Sequence, residues 1–467
     1  MRILLTALAL AALTVATGLG VVSVGFYDTR DTGGALWWAI GGWVLFAVAV
    51  WLLRGVGRRA AVVLIVVGAV ALGGAAMIGP PTTSTDSARY AWDGIVQVDG
   101  HSPYDHVPRD QTYEQLRPAW LFPDAVADDG GHPRCPYDGE RISRTLNVPD
   151  FTVLCTTINR PTVPTIYPPT AELYFAGVRA LVPPEAEYWP FQAAGALASL
   201  AVTLTLLVAL RRRGLDPRWA ALWAWCPFVL SEAVTNSHVD VLGALLVLAA
   251  TLLVAGGRRL LGGVALGAAI GVKLIPVIAA PALLKRQPWK VVLGAVVTFA
   301  LLYVPYVLQS GLDVIGYLPG YLSEEGYDDG TRFALLSLVA PGPASVVLAA
   351  LVLGVLALLV YRRTDPASPW LGQLVMIGGV LLVVTPHYSW YALLLVPFVA
   401  MTGRWEWLTI PLALSAGLLI PELWVARLTL AAALAVVLVI SALRRRDARG
   451  GPWRLASAPL DAAASPH

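Results

Sequence analysis

From Arg2 to Arg446 the chain is a succession of apolar runs, interrupted once by a long polar stretch from Pro81 to Pro184. Most runs approach the roughly 20 residues that a helix needs to cross a hydrocarbon core. Hydrocarbon offers no partner for backbone N–H and C=O groups, so a crossing segment must satisfy them internally, as a helix does. Composition agrees. Hydrophobic residues make up 57% of the chain and charged residues 13%, where a soluble domain carries about 25% charged residues. The expected fold class is an all-α polytopic membrane protein. A net charge of +3 gives no footing for a nucleic-acid partner.

Apolar runs fall at 3–26, 36–53 and 60–79, then at 188–210, 218–235 and 239–256. A pair at 260–284, broken by Gly271 and Pro276, precedes runs at 291–308, 344–361, 370–386, 390–402, 407–420 and 424–443. Basic residues cluster at Arg54/Arg58/Arg59, Arg211–Arg213/Arg218, Arg258/Arg259, Lys285/Arg286/Lys290, Arg362/Arg363, Arg404 and Arg444–Arg446. Basic connectors stay cytoplasmic. All these clusters do so if the N-terminus is inside and 260–284 enters and returns as a hairpin. The expectation is a multi-pass protein of the plasma membrane with both termini cytoplasmic. The polar stretch, Asn236–Asp240, 309–340 and His387–Tyr391 then face outward. The first run exceeds a signal-peptide core and reads as a retained helix.

Four parts follow: three transmembrane helices (1–80), an extracytoplasmic loop with a candidate active site (81–185), a bundle of about nine spans plus the short-helix hairpin (186–445), and a disordered cytoplasmic tail (446–467). The cytoplasmic connectors are too short for a nucleotide-binding domain. Gly267–Lys273 lacks the Gly-Lys-Ser/Thr ending of a phosphate loop. Any chemistry therefore faces outward, where an activated group arrives on a membrane lipid. Cys135 and Cys155 lie in the outward loop and suit an oxidising compartment. A bridge between them would add about 3 kcal/mol; two unpaired thiols are the alternative. No metal-ligand spacing is present and no cofactor is expected. Glu324, Glu325, Asp328 and Asp329 read as a solvated acidic face.

Asp86 and Asp93, seven apart, share one face if their segment is helical. A carboxylate at the lipid boundary can act as a general base, and burial there would raise its pKa towards neutrality. Ser84-Thr85-Asp86 fits a helix start equally well, with Asp86 as a cap. Glu232, Asn236 and Asp240 recur every four residues beside His238, at the end of an apolar run where acids face a cavity, a partner or solvent. Lys273 sits at the hairpin turn, suited to a phosphate or to snorkelling. His387, Trp390 and Tyr391 form a late outer turn.

Together these residues resemble the polyprenyl-phosphate-dependent, GT-C-type glycosyltransferases, in particular the bacterial mannosyltransferases of glycosyltransferase family 87. The resemblance lies in Asp86-x-x-Arg89-Tyr90-x-Trp92-Asp93-Gly94-x-x-Gln97, Gly100-x-x-Pro103-Tyr104, Ile166-Tyr167-Pro168-Pro169, Asn236-x-His238-x-Asp240, Val272-Lys273-Leu274-x-Pro276 and His387-x-x-Trp390-Tyr391. It implies a GT-C-like multi-helix bundle whose large first outer loop carries short juxtamembrane helices. It implies a polyprenyl-phosphate-linked sugar donor and a glycan or lipoglycan acceptor. Asp86 would be the catalytic base, with Asp93 assisting. Lys273 and Arg89 would bind the lipid phosphate. Tyr90, Trp92, Tyr104, Tyr167, Glu232, Asn236, His238, Asp240, His387, Trp390 and Tyr391 would bind sugar or acceptor. The chain departs from that pattern in its two additional N-terminal runs and in a long insertion around 120–160. A transporter or flippase of lipid-linked sugars would also explain Lys273, Glu232 and the broken hairpin, but no internal repeat relates the halves.

Overall fold

A computed structural model describes residues 1–27, 33–136, 144–147, 153–327 and 332–447. Asp328 and Asp329, and the tail from residue 448, lie outside the described residues. Seven of the described helices are long and apolar enough to cross a membrane: Arg2–Val24 (α1), Gly34–Leu53 (in α2, Gly33–Leu53), Arg58–Ala76 (α3), Trp189–Arg212, Pro288–Glu324, Pro343–Arg363 and Leu423–Arg444. Pro227–Thr235 and Asp240–Ala255 make an eighth if taken as one span bent by 116°. The protein is an all-α polytopic membrane protein.

Shorter apolar helices occupy the middle of the bundle. Every residue from Ser389 to Met401 is buried. A helix sheathed by other helices need not match the bilayer thickness, and this explains why several apolar runs are shorter than a span. The expected spans 218–235 and 239–256 are the two arms of the bent pair. The expected hairpin at 260–284 is helix Arg259–Ile270 followed by 3-10 turns over Ile275–Ala282.

The basic helix ends gather on one face. Arg218 donates to the Arg54 carbonyl, Arg213 to that of Ala367 and Lys285 to that of Arg362. Arg404 and Arg444 both pair with buried Glu406.

The other end is built on α4, Asp86–Val98, and α5, Pro169–Arg179. Residues Asp86 to Val96 are all buried, so α4 is enclosed rather than laid on the surface. It starts with the Asp86 N–H donating to Ser84 Oγ (3.1 Å) and ends before Gly100, whose φ of +89° favours glycine. Pro169 opens α5, where its missing N–H is harmless. The two helices close around aromatic rings. Tyr90 stacks on Phe175 with centroids 4.3 Å apart, Tyr167 meets Tyr90 edge-on at 5.2 Å, and Trp92 packs on Phe122 at 5.0 Å.

Two small antiparallel ladders interrupt the helical pattern: β1 (Val126–Ala127) with β2 (Pro133–Arg134), and β3 (Arg144–Asn147) with β4 (Val153–Thr156). A Cys135–Cys155 disulfide ties β4 to the residue after β2. The Thr156 hydroxyl donates to the Leu121 carbonyl at 3.0 Å. These bonds anchor the insertion at the residues that lead into Asn159 and Arg160.

Close approach of α4 and α5 requires Gly94. An added Cβ would lie 2.5 Å from the Phe175 carbonyl oxygen. Gly94→Ala is expected to destabilise the protein by about 1–3 kcal/mol, seen as a lower thermal unfolding midpoint in detergent. Gly177→Ala, at a position with open space around it, should not lower that midpoint.

Candidate active site

A cavity of about 840 Å³ opens beside the N-terminus of α4. One part is polar, lined by Asp86, Arg89, Asn159, Arg160, Lys273 and the tyrosines 167, 317, 321, 388 and 391. The other is apolar, lined by Ile275, Val277 and Ile278, by Leu353, by Met376, Val380 and Val384, and by Leu418. Those aliphatic residues come from the bundle, so the cavity joins a charged head to an arm among membrane helices.

Asp86 is held on both oxygens. Asn159 Nδ2 donates to Oδ1 at 2.5 Å, and His238 Nδ1 lies 3.6 Å from Oδ2. His238 is fully buried, with Nε2 3.3 Å from Glu232 and its ring stacked on Trp390 at 3.8 Å. The imidazole thus bridges two carboxylates. It is aimed by an unusual backbone: Leu230–Thr235 is a π-helical turn, and Ser237 takes a φ of +51°. Wide turns and left-handed non-glycine residues collect at working sites. Of the four described non-glycine residues with positive φ, Arg160, Ser237 and Thr385 adjoin this site.

The Asp86 side chain turns into the cavity rather than capping α4; Ser84 serves the first turn instead. Its acidity also reverses the sequence-based expectation. Burial alone pushes the pKa up, but His238, Lys273 and Asn159 together outweigh it and hold the carboxyl below its ordinary value of 3.8. In a low-dielectric pocket, partners of the charged form decide the sign.

Lys273 lines the cavity, bonded to Asp240 at 3.0 Å and lying over the Tyr391 ring at 4.4 Å. The Tyr391 hydroxyl meets that of Tyr321 at 2.7 Å. Arg89 reaches the cavity wall while its Nε is held by both Asp93 oxygens at 2.8 and 3.0 Å. Its buried Nη2 has no protein partner, so it retains donor capacity toward a ligand.

Other sequence-predicted residues do not reach this cavity. Asp93 sits behind Arg89 and does not line it. Tyr90 and Trp92 belong to the aromatic core, and Tyr104 spends its hydroxyl on the Tyr167 carbonyl at 2.6 Å. Asn236 accepts from the Thr82 and Thr83 N–H groups, both at 3.0 Å, and so fixes the α3–α4 connection. His387 is 3.4 Å from Glu325, which pairs with Arg332. It lines a second cavity of about 500 Å³, which shares Tyr27, Thr83, Tyr388 and Leu418 with the first.

Sequence reasoning missed Asn159, Arg160 and Glu172. The only local sign of the first two was a polar Asn-Arg pair just after the second loop cysteine. Glu172 is fully buried in α5, accepting from Thr165 Oγ1 at 2.7 Å and Gln97 Nε2 at 2.8 Å. Burial, with Asp93 nearby, pushes its carboxyl well above the ordinary range.

Residues 165–386 match the family model described as Glycosyltransferase family 87. That span holds Lys273, the Asn236–Asp240 turn and most of the cavity wall, while Asp86 and Arg89 precede it. No curated protein and no solved structure matches the chain.

Asp93→Ala is expected to destabilise the protein by about 3–5 kcal/mol, because Arg89 would keep a buried charge without its partner. Thermal unfolding in detergent measures it.

Proposed function

We propose that this chain, whose residues 165–386 match glycosyltransferase family 87, is a membrane glycosyltransferase that moves a sugar, with mannose the first candidate, from an outer-leaflet polyprenyl phosphate to a hydroxyl of a cell-envelope glycan or lipoglycan. One observation carries this reading: a single cavity joins an ionised carboxylate and several cations to an aliphatic arm. A sugar phosphate on an isoprenoid chain has the complementary chemistry at each end. The second cavity meets the first at Thr83 and Tyr388 and offers the acceptor a separate approach.

In this mechanism Asp86 takes the proton of the acceptor hydroxyl as its oxygen attacks the anomeric carbon. The bond from that carbon to the phosphate oxygen breaks, and the lipid phosphate leaves with inversion. Lys273 and the free Nη2 of Arg89 meet the growing negative charge. Arg160, already at the cavity wall, is a third cation for it. His238 holds Asp86, with Glu232 behind it. Asp240 holds Lys273. Trp390, Tyr391 and Tyr167 supply faces for the sugar.

The lowered pKa of Asp86 then has a use. A donor phosphate bound to Lys273 cancels one of the charges that stabilise the carboxylate. The base strengthens when the donor is in place.

The basic ends sharing one face support a cytoplasmic location for that face, with the opposite, acidic end outside the plasma membrane. An impermeant thiol reagent should label Asp129→Cys in intact cells and spare Arg286→Cys; both positions are exposed. The reverse pattern would overturn the orientation.

Membranes incubated with radiolabelled polyprenyl-phosphate mannose test the reaction. Asp86→Asn should fold normally and transfer no label; undiminished transfer would remove Asp86 as the base. Lys273→Ala should raise the donor KM and leave the acceptor KM little changed. Because the free-enzyme pKa of Asp86 is lowered, ionised Asp86 is lost only as pH falls below 3.8. The kcat/KM for donor should therefore stay flat from neutrality to about pH 5. The acid limb of kcat, which reports the donor complex, should lie at higher pH.

A further inference from the structure

The loop insertion enters the site through two residues, and one of them touches the base. Asn159 lines the main cavity and donates to Asp86 Oδ1 at 2.5 Å. The other oxygen faces His238, so the carboxylate has a different partner on each side and its rotation is restricted. What holds Asn159 is the insertion itself. Cys155 in β4 is bonded to Cys135. Thr156 is tied to Leu121, and Ile158 is fully buried in the aromatic core around Tyr90 and Tyr167. The next residue, Arg160, adopts a φ of +53°, a region that non-glycine side chains rarely occupy unless the surroundings impose it. That turn sends its guanidinium to Glu324 at 2.8 Å and to the Tyr388 hydroxyl at 3.4 Å. The strand end is therefore pinned on both sides of Asn159.

We propose that Asn159 is the positioning residue for Asp86, and that the Cys135–Cys155 bridge is the device that keeps it in place. The inference rests on Asp86 acting as the base. An amide donor on Oδ1 does two things: it fixes which oxygen faces the acceptor, and it stabilises the ionised form. Other groups also act on Asp86. They are Tyr90 from α4, Tyr167 from the segment before α5, His238 with Glu232 beyond it, and the Lys273–Asp240 pair; Arg89 and Arg160 line the same cavity. None of these changes when Asn159 is substituted, so a shift in the acid limb reports the amide.

The test is the pH profile of transfer, with purified full-length protein in lipid nanodiscs. Labelled polyprenyl-phosphate mannose serves as donor and a membrane extract as acceptor. Asn159→Asp sets a second carboxylate against Asp86. Its acid limb should move to higher pH by at least one unit, with activity recovering in alkaline buffer. Asn159→Ala should lower kcat by up to about 100-fold, the effect of a misplaced reacting group, with a smaller move of the limb in the same direction. Replacing both Cys135 and Cys155 by Ser should shift the limb as Asn159→Ala does. Phosphine reduction of the wild-type protein should do so without any substitution.

A wild-type profile for Asn159→Asp overturns the positioning role. A wild-type profile after verified reduction overturns the role of the bridge. Lost activity with an unmoved limb marks a purely structural contact and also overturns the proposal. Asp86→Asn run in parallel separates the two levels. Transfer by that variant removes the base and the inference together, whereas an inactive Asp86→Asn beside an unshifted Asn159→Asp removes the inference alone.

Discussion

A carboxylate buried at the edge of a membrane must be met by partners or take up a proton, and Asp86 is met by partners. Its position draws together parts of the chain that are far apart in sequence. Asn159 arrives from the loop insertion, His238 from the break of a bent helix pair, and Lys273 from the end of a short helix. Trp390 is stacked behind the histidine. The first two of these elements are irregular where they reach the site: a left-handed residue at 160, a π turn before 236, another left-handed residue at 237. Irregular backbone is expensive within a membrane bundle unless it lines a cavity, and here it does.

The two aspartates of α4 show how environment separates identical side chains. Seven residues apart on one helix, they have opposite duties. Asp86 faces the cavity and is kept ionised by its neighbours. Asp93 is sealed behind Arg89, and its work is to neutralise that arginine. Glu172 lies beside this pair, and burial together with Asp93 raises its carboxyl well above the ordinary range. The aromatic residues around α4 belong to the same support. Tyr90, Trp92 and Phe175 fill the space that lets a helix with an aspartate at each end of its motif stand buried.

Much of this was legible in the chain. Apolar runs and the placement of arginines and lysines identified a polytopic helical protein, because a bilayer imposes a length and a charge rule that any sequence must obey. The motif residues Asp86, Lys273, His238, Asp240 and Trp390 were found because their short-range patterns are distinctive. Patterns could not divide them into those that face the cavity and those that buttress it. Tyr90, Trp92, Tyr104 and Asn236 sit in the same motifs, yet each is spent on packing or on a backbone carbonyl or amide. Asn159 and Arg160 escaped notice for the opposite reason: no local pattern marks them, and only the disulfide-anchored strand brings them to Asp86.

The sequence by itself determined the helical class and the acid and base types available, because these depend on solvent and on side-chain chemistry alone. Tertiary structure decided the sign of the Asp86 shift, the fate of Asp93 and the share of the insertion in the site. Those depend on which charges and hydrogen-bond donors stand within a few ångströms, and that distance is set by how the helices pack.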